Sequence, residues 1–131
     1  MNNTLFLIPL LALSITFAFA DNIVTIPEGS SVPDCEKTIE GCYNPLEITI
    51  QQGESITWEN KDTAFHTVTS VTSTGKIDGV FDSGFMNTGK TWSYKFEESG
   101  TFSYFCSLHP WMVGNVIVNS KPIIMDDTIT N

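Results

Sequence analysis

The sequence predicts an all-β fold, a Greek-key β-sandwich of about seven to eight strands, and three observations carry that reading. Short stretches in which apolar and polar residues alternate recur along residues 21–120, the period of a strand with one buried face. Nine glycines and six prolines separate these stretches as punctuation instead of clustering in runs. Helix signals are almost absent. A chain of 131 residues without an internal repeat has room for one such domain.

In chain order, residues 5–20 form an almost unbroken apolar run ending in Ala18-Phe19-Ala20 before Asp21, the small-x-small form of a signal-peptidase site. Residues 1–20 therefore read as a signal peptide cleaved after Ala20, although residues 1–4 contain no Lys or Arg. An uncleaved anchor is the alternative, but these sixteen residues fall short of the roughly twenty that span a bilayer. The expected location is outside the cytoplasm, in a periplasm or on the outer face of the cytoplasmic membrane.

Residues 21–27 read as a first strand, with Ile23 or Val24 facing the core and Pro27 ending the run. Residues 29–44 are loop-like and contain Cys35 and Cys42. Leu46, Ile48 and Ile50 then alternate with Glu47, Thr49 and Gln51. Gln52-Gly53-Glu54 turns the chain, and residues 55–60 place Ile56 and Trp58 on one face. The Thr- and Val-rich residues 66–72 favour β structure, whereas residues 73–84, with their Gly and Asp, are expected to be irregular. Residues 91–96 would turn Trp92, Tyr94 and Phe96 inward; residues 101–105 lead into Cys106; residues 113–118 close the domain. Residues 121–131 are expected to be a loosely packed tail.

Charge narrows the partners. The formal net charge is -9, with six Lys and no Arg, which argues against nucleic acid, whose phosphates call for basic side chains. A charged partner would be basic.

The chemistry concentrates in residues 104–112, Tyr-Phe-Cys-Ser-Leu-His-Pro-Trp-Met, which set a thiol, an imidazole and a thioether three residues apart. Two His and one Cys with a weak axial Met is the donor set of electron-transfer copper. The loop supplies Cys106, His109 and Met112, and the chain has one other histidine, His66. Simpler readings exist for each residue. Cys106 could be a buried small hydrophobe and Met112 a core filler. A Cys–His nucleophile pair would leave Met112 without a role; zinc would take Cys and His but is poorly served by Met. Met86, the only other thioether outside the leader and tail, is an alternative axial donor, although nothing in the sequence ties it to the loop.

The loop 106–112, Cys-Ser-Leu-His-Pro-Trp-Met, resembles the ligand loop of the cupredoxins, the small blue-copper proteins, and its short Cys-x-x-His-x-x-Met spacing is closer to amicyanin than to plant plastocyanin. Upstream, Thr57-Trp58-Glu59-Asn60 and His66-Thr67-Val68 resemble the family's strand, buried Asn and first His ligand. The resemblance covers most of residues 45–119. It implies a cupredoxin-like sandwich holding one type 1 copper on His66, Cys106, His109 and Met112. It further implies that Asn60 hydrogen-bonds toward the Cys106-Ser107 turn, and that Pro110 and Trp111 form an apolar patch around His109 through which electrons pass to redox protein partners. Two histidines are too few for a trinuclear copper cluster and leave no open catalytic position, so neither enzymatic activity nor a small-molecule substrate is expected. A copper-delivery module is the competing function. With Cys106 assigned to copper, Cys35 and Cys42 most simply form a disulfide in an exported chain. A second metal site on both thiols is the alternative.

Overall fold

The computed structural model describes residues 21–123. The expected signal peptide and most of the expected tail lie outside the described residues. Eight strands make two sheets. The smaller sheet has the order β1-β3-β6, from Ile23–Ile26, Ser55–Asn60 and Thr91–Lys95. The larger has the order β2-β8-β7-β4-β5, from Glu47–Gln51, Val113–Asn119, Gly100–Phe105, Thr69–Val71 and Ile77–Asp82. The chain crosses repeatedly from one sheet to the other, and β7 returns to lie between β8 and β4, so the all-β sandwich expected from the sequence is the fold. Pairing is antiparallel except for β1 with β3 and β2 with β8.

Alternation explains which faces meet. Ile56, Trp58 and Asn60 of β3 are buried while the residues between them are only partly so, and Gly114, Val116 and Val118 of β8 repeat the pattern from the opposite sheet. Val24 and Ile26, and not Ile23, are the inward residues of β1. Trp58 lies at the centre of an aromatic cluster, 5.5 Å from both Trp92 and Tyr104 between ring centroids and 6.2 Å from Phe81. Burying rings of this size supplies much of the apolar driving force of a small domain.

Four expectations change in detail. Residues 73–84 are not wholly irregular, because β5 occupies six of them; it is an edge strand with only Phe81 buried, so it lacks an alternating signature. Within residues 66–72 only Thr69–Val71 is a regular strand, and His66 joins Met86 through an isolated bridge. Leu46 lies before β2 and is exposed, whereas Ile50 is buried. Trp92 and Tyr94 are half-buried, and Phe96, just beyond β6, is the fully inward member of that series. The Cys35–Cys42 pair is a disulfide, with Cα atoms 5.1 Å apart, which removes the second-metal reading of those thiols. Its loop contains the only helical turn among the described residues, the 3₁₀ segment Cys35–Lys37.

Candidate metal centre

At the C-terminal end of β7 the backbone turns through residues 106–112 and closes on itself. Cys106 N–H donates to Met112 O (3.1 Å), His109 N–H to Cys106 O (3.2 Å) and Met112 N–H to His109 O (2.9 Å). Three residues at three-residue spacing thus fasten one another, and Pro110 cannot compete because it has no N–H. The loop is built by local chemistry, and β7 and β8, paired from Gly100↔Val118 to Phe105↔Val113, hold its two ends.

The fourth residue arrives from a different part of the chain. His66 follows β3 by six residues and is held in place by its bridge to Met86, with His66 N–H to Met86 O at 3.1 Å and Met86 N–H to His66 O at 2.8 Å. Nothing local in the sequence connects Met86 with the site; the bridge does so, and its side chain is buried in the core. One donor atom each from His66, Cys106 and His109 lies within 4.8 Å of the other two. Cys106 Sγ stands 3.8 Å from His66 Nδ1 and 3.6 Å from His109 Nδ1.

Those separations fit a shared ion. A first-row metal such as zinc has bonds of about 2.3 Å to sulfur and about 2.0 Å to nitrogen, which at tetrahedral to trigonal angles set the two donors roughly 3.5–3.7 Å apart. The donor chemistry, thiolate with two imidazoles, suits copper. Met112 is fully buried, while His109 is half-buried.

Around these donors the structure adds contacts that differ from the expected ones. Asn60 is buried, but it does not bond to the Cys106-Ser107 turn: its Nδ2 donates to Ala64 O (2.9 Å) and Met86 O (2.8 Å), and its Oδ1 accepts from Asp62 N–H (2.9 Å). It shapes the approach of the chain to His66. The bond to the turn comes from Thr67, whose Oγ1 accepts from Ser107 N–H at 2.8 Å and also meets Ser107 Oγ at 3.1 Å. Thr67 N–H points at Cys106 Sγ (3.3 Å), a donor that favours the thiolate. Thr67 directly follows His66 and faces the turn, whereas the Asn60 amide is already committed to Ala64, Met86 and Asp62.

Asp62 is the other contact that the motif did not indicate. It is buried, and its Oδ2 lies 2.7 Å from His66 Nε2. Burial alone would raise its carboxyl pKa, but bonds from Gly29 N–H, His66, Thr63 N–H and Ser31 N–H outweigh that and hold it below the ordinary value. Burial pushes the His66 pKa down, with Asp62 opposing only in part. The one signal available in the sequence was a carboxylate four residues before a histidine.

Outside the donors the surface is apolar. Leu108, Pro110 and Trp111 are exposed around His109, and the Trp111 ring centroid is 5.5 Å from that of His109. Leu108 also lines a shallow depression with the exposed rings of Phe65 and Phe85.

Comparison with known proteins agrees with this geometry. The model of the family described as copper binding proteins, plastocyanin/azurin family, matches residues 33–119. Amicyanin of Paracoccus versutus is 29% identical over 119 residues, covering 85% of this chain and 89% of that protein. Amicyanin-alpha of Methylorubrum extorquens is 30% identical over 76 residues; the match covers 58% of this chain and spans 63% of the relative's length. Among solved structures, a purple cupredoxin from Nitrosopumilus maritimus superposes with a TM-score of 0.70 at 38% identity, covering 76% of this chain and all (100%) of the other.

Proposed function

Because the chain belongs to the plastocyanin/azurin family of copper-binding proteins, we propose that it is an exported shuttle that passes single electrons between redox proteins. The observation that carries this reading is the arrangement of the three nitrogen and sulfur donors: His66 and Cys106 are buried, and His109, 3.6 Å from the same sulfur, reaches toward solvent among apolar side chains. Copper bound there would supply the one-electron Cu(II)/Cu(I) couple.

The protein's contribution is to keep the donors still. The loop fastens its own three donors, Thr67 fastens the loop to the His66 segment, and the two sheets fix both. Donors held in this way need little rearrangement when charge changes, as transfer without chemistry requires. A copper-delivery module would need a set that opens, and the closed ring of backbone bonds supports retention. Cleavage after Ala20 would place residues 21–120 as the mature domain, followed by the tail at 121–131.

Electrons would enter and leave through His109, with Pro110 and Trp111 excluding water from the contact and the acidic remainder of the surface speeding encounter with a basic partner. Enzymatic activity is not part of the proposal, nor is a small-molecule substrate. The test is Trp111→Ala in the copper-loaded protein. Bimolecular transfer to a basic redox partner should slow severalfold while the visible spectrum stays nearly constant. An unchanged transfer rate would remove the patch from the reading.

A further inference from the structure

We infer that Asp62 is a positioning residue for the proposed copper site, selecting the His66 tautomer and lowering the site's reduction potential. The inference rests on the copper reading above and extends it to a residue outside the donor set. The geometry is a chain of three groups, with Asp62 Oδ2 2.7 Å from His66 Nε2 and His66 Nδ1 3.8 Å from Cys106 Sγ. An ionised carboxylate only accepts hydrogen bonds, so the proton of the ring sits on Nε2. That leaves Nδ1, on the sulfur side, as the nitrogen for the ion. A carboxylate–histidine–metal relay of this kind fixes ring orientation and strengthens the imidazole as a donor.

Asp62 is itself held as an anion by geometry. Oδ1 accepts from Gly29 N–H (3.0 Å) and Thr63 N–H (2.8 Å), and Oδ2 accepts from Ser31 N–H (3.2 Å). Three backbone N–H donors converge on one buried carboxylate, an arrangement that favours the ionised, acceptor-only form. Two of the three, Gly29 and Ser31, come from the segment after β1, far from the ligand loop in sequence. Asn60 Oδ1 and Thr88 Oγ1 meanwhile grip the backbone of Asp62 at its N–H (2.9 Å) and carbonyl (2.8 Å). A group needed only to fill space would not require this many directed bonds. A fixed negative charge behind His66 favours the more positive Cu(II) over Cu(I).

The test has two readouts. In metal-free protein with ¹⁵N-labelled histidine, long-range ¹H–¹⁵N correlations should show His66 protonated at Nε2, and in Asp62→Asn, where an amide NH₂ can replace Oδ2, protonated at Nδ1. In copper-loaded protein, Asp62→Asn should weaken the preference for Cu(II) over Cu(I) about tenfold, a rise of about 59 mV in potential for one electron. A wild-type His66 protonated at Nδ1 overturns the inference without any variant, and so does a folded Asp62→Asn whose potential is unchanged or lower. If wild-type protein takes up no copper the proposed function fails, and the tautomer still decides the role of Asp62.

Discussion

Among the glycines, Gly114 is the one at which an added methyl group meets the tightest contact. It faces Tyr104 across the β7–β8 ladder, and a Cβ added there would lie 2.4 Å from Tyr104 Cζ, 2.4 Å from its Oη and 2.9 Å from Cε2. Ordinary carbon contacts lie at about 3.5–4.0 Å, so the overlap exceeds an ångström. The ring has nowhere to go. Tyr104 is fully buried, edge-on to Tyr43 at 4.9 Å and to Trp58 at 5.5 Å between ring centroids. Gly114 has no positive φ among the chain's glycines of that kind, so Ala would otherwise stabilise the strand by roughly 0.5–1 kcal/mol. Overpacking costs typically about 1–3 kcal/mol, occasionally more, and an overlap of this size belongs at the upper end. Gly114→Ala should therefore lose about 2 kcal/mol net. With a urea slope of about 1–3 kcal/mol per molar, the unfolding midpoint should fall by roughly 1 M. Adding Tyr104→Leu should make the two losses less than additive, since the shorter side chain relieves the overlap. A Gly114→Ala protein with an unchanged or higher midpoint would refute the close packing of β8 on Tyr104.

Two further outcomes follow from the contacts around the donors. Thr67→Ala leaves Ser107 N–H without its 2.8 Å acceptor and should cost about 1–3 kcal/mol, read by thermal unfolding of the metal-free protein, with Thr67→Ser restoring most of it; equal stability of Thr67→Ala and wild type would count against the contact. The pH dependence of metal-free stability has a definite sign. Asp62 and His66 both have folded pKa values below their ordinary 3.8 and 6.5, so the unfolded chain binds more protons and stability falls with falling pH. The His66 contribution is complete above about pH 6.5 and is lost as pH falls through its lower folded value; that of Asp62 is complete above about pH 3.8 and is lost below it in the same way. Urea midpoints that stay level from pH 7 to pH 3 would contradict this.

What could be read from the sequence was what is local in it. Cys106, His109 and Met112 sit three residues apart in one loop, and a chain with two histidines leaves no choice for the remaining imidazole. Strands such as β3 announce themselves because alternate residues are buried. Strand β5 did not, since five of its six residues face solvent. The supporting contacts were hidden for a different reason. Thr67 and Ser107 are separated by forty residues and Asp62 and Ser31 by thirty-one, and a hydrogen bond between distant residues leaves no periodic trace in either segment. The resemblance implies a bond from Asn60 to the turn at Cys106, yet its amide is committed to the carbonyls of Ala64 and Met86. The close approach of Gly114 to Tyr104 likewise joins residues on two strands and leaves no local pattern.

The central claim is that the Cys106 sulfur and the imidazoles of His66 and His109 share one copper ion. Titrating Cu(II) into the metal-free protein and into Cys106→Ser, with visible absorption and EPR spectra at each step, tests it most directly. One equivalent should bind with an intense visible band in the wild type, and that band should be lost in Cys106→Ser. Copper uptake without intense colour, or the same colour in both proteins, would contradict it.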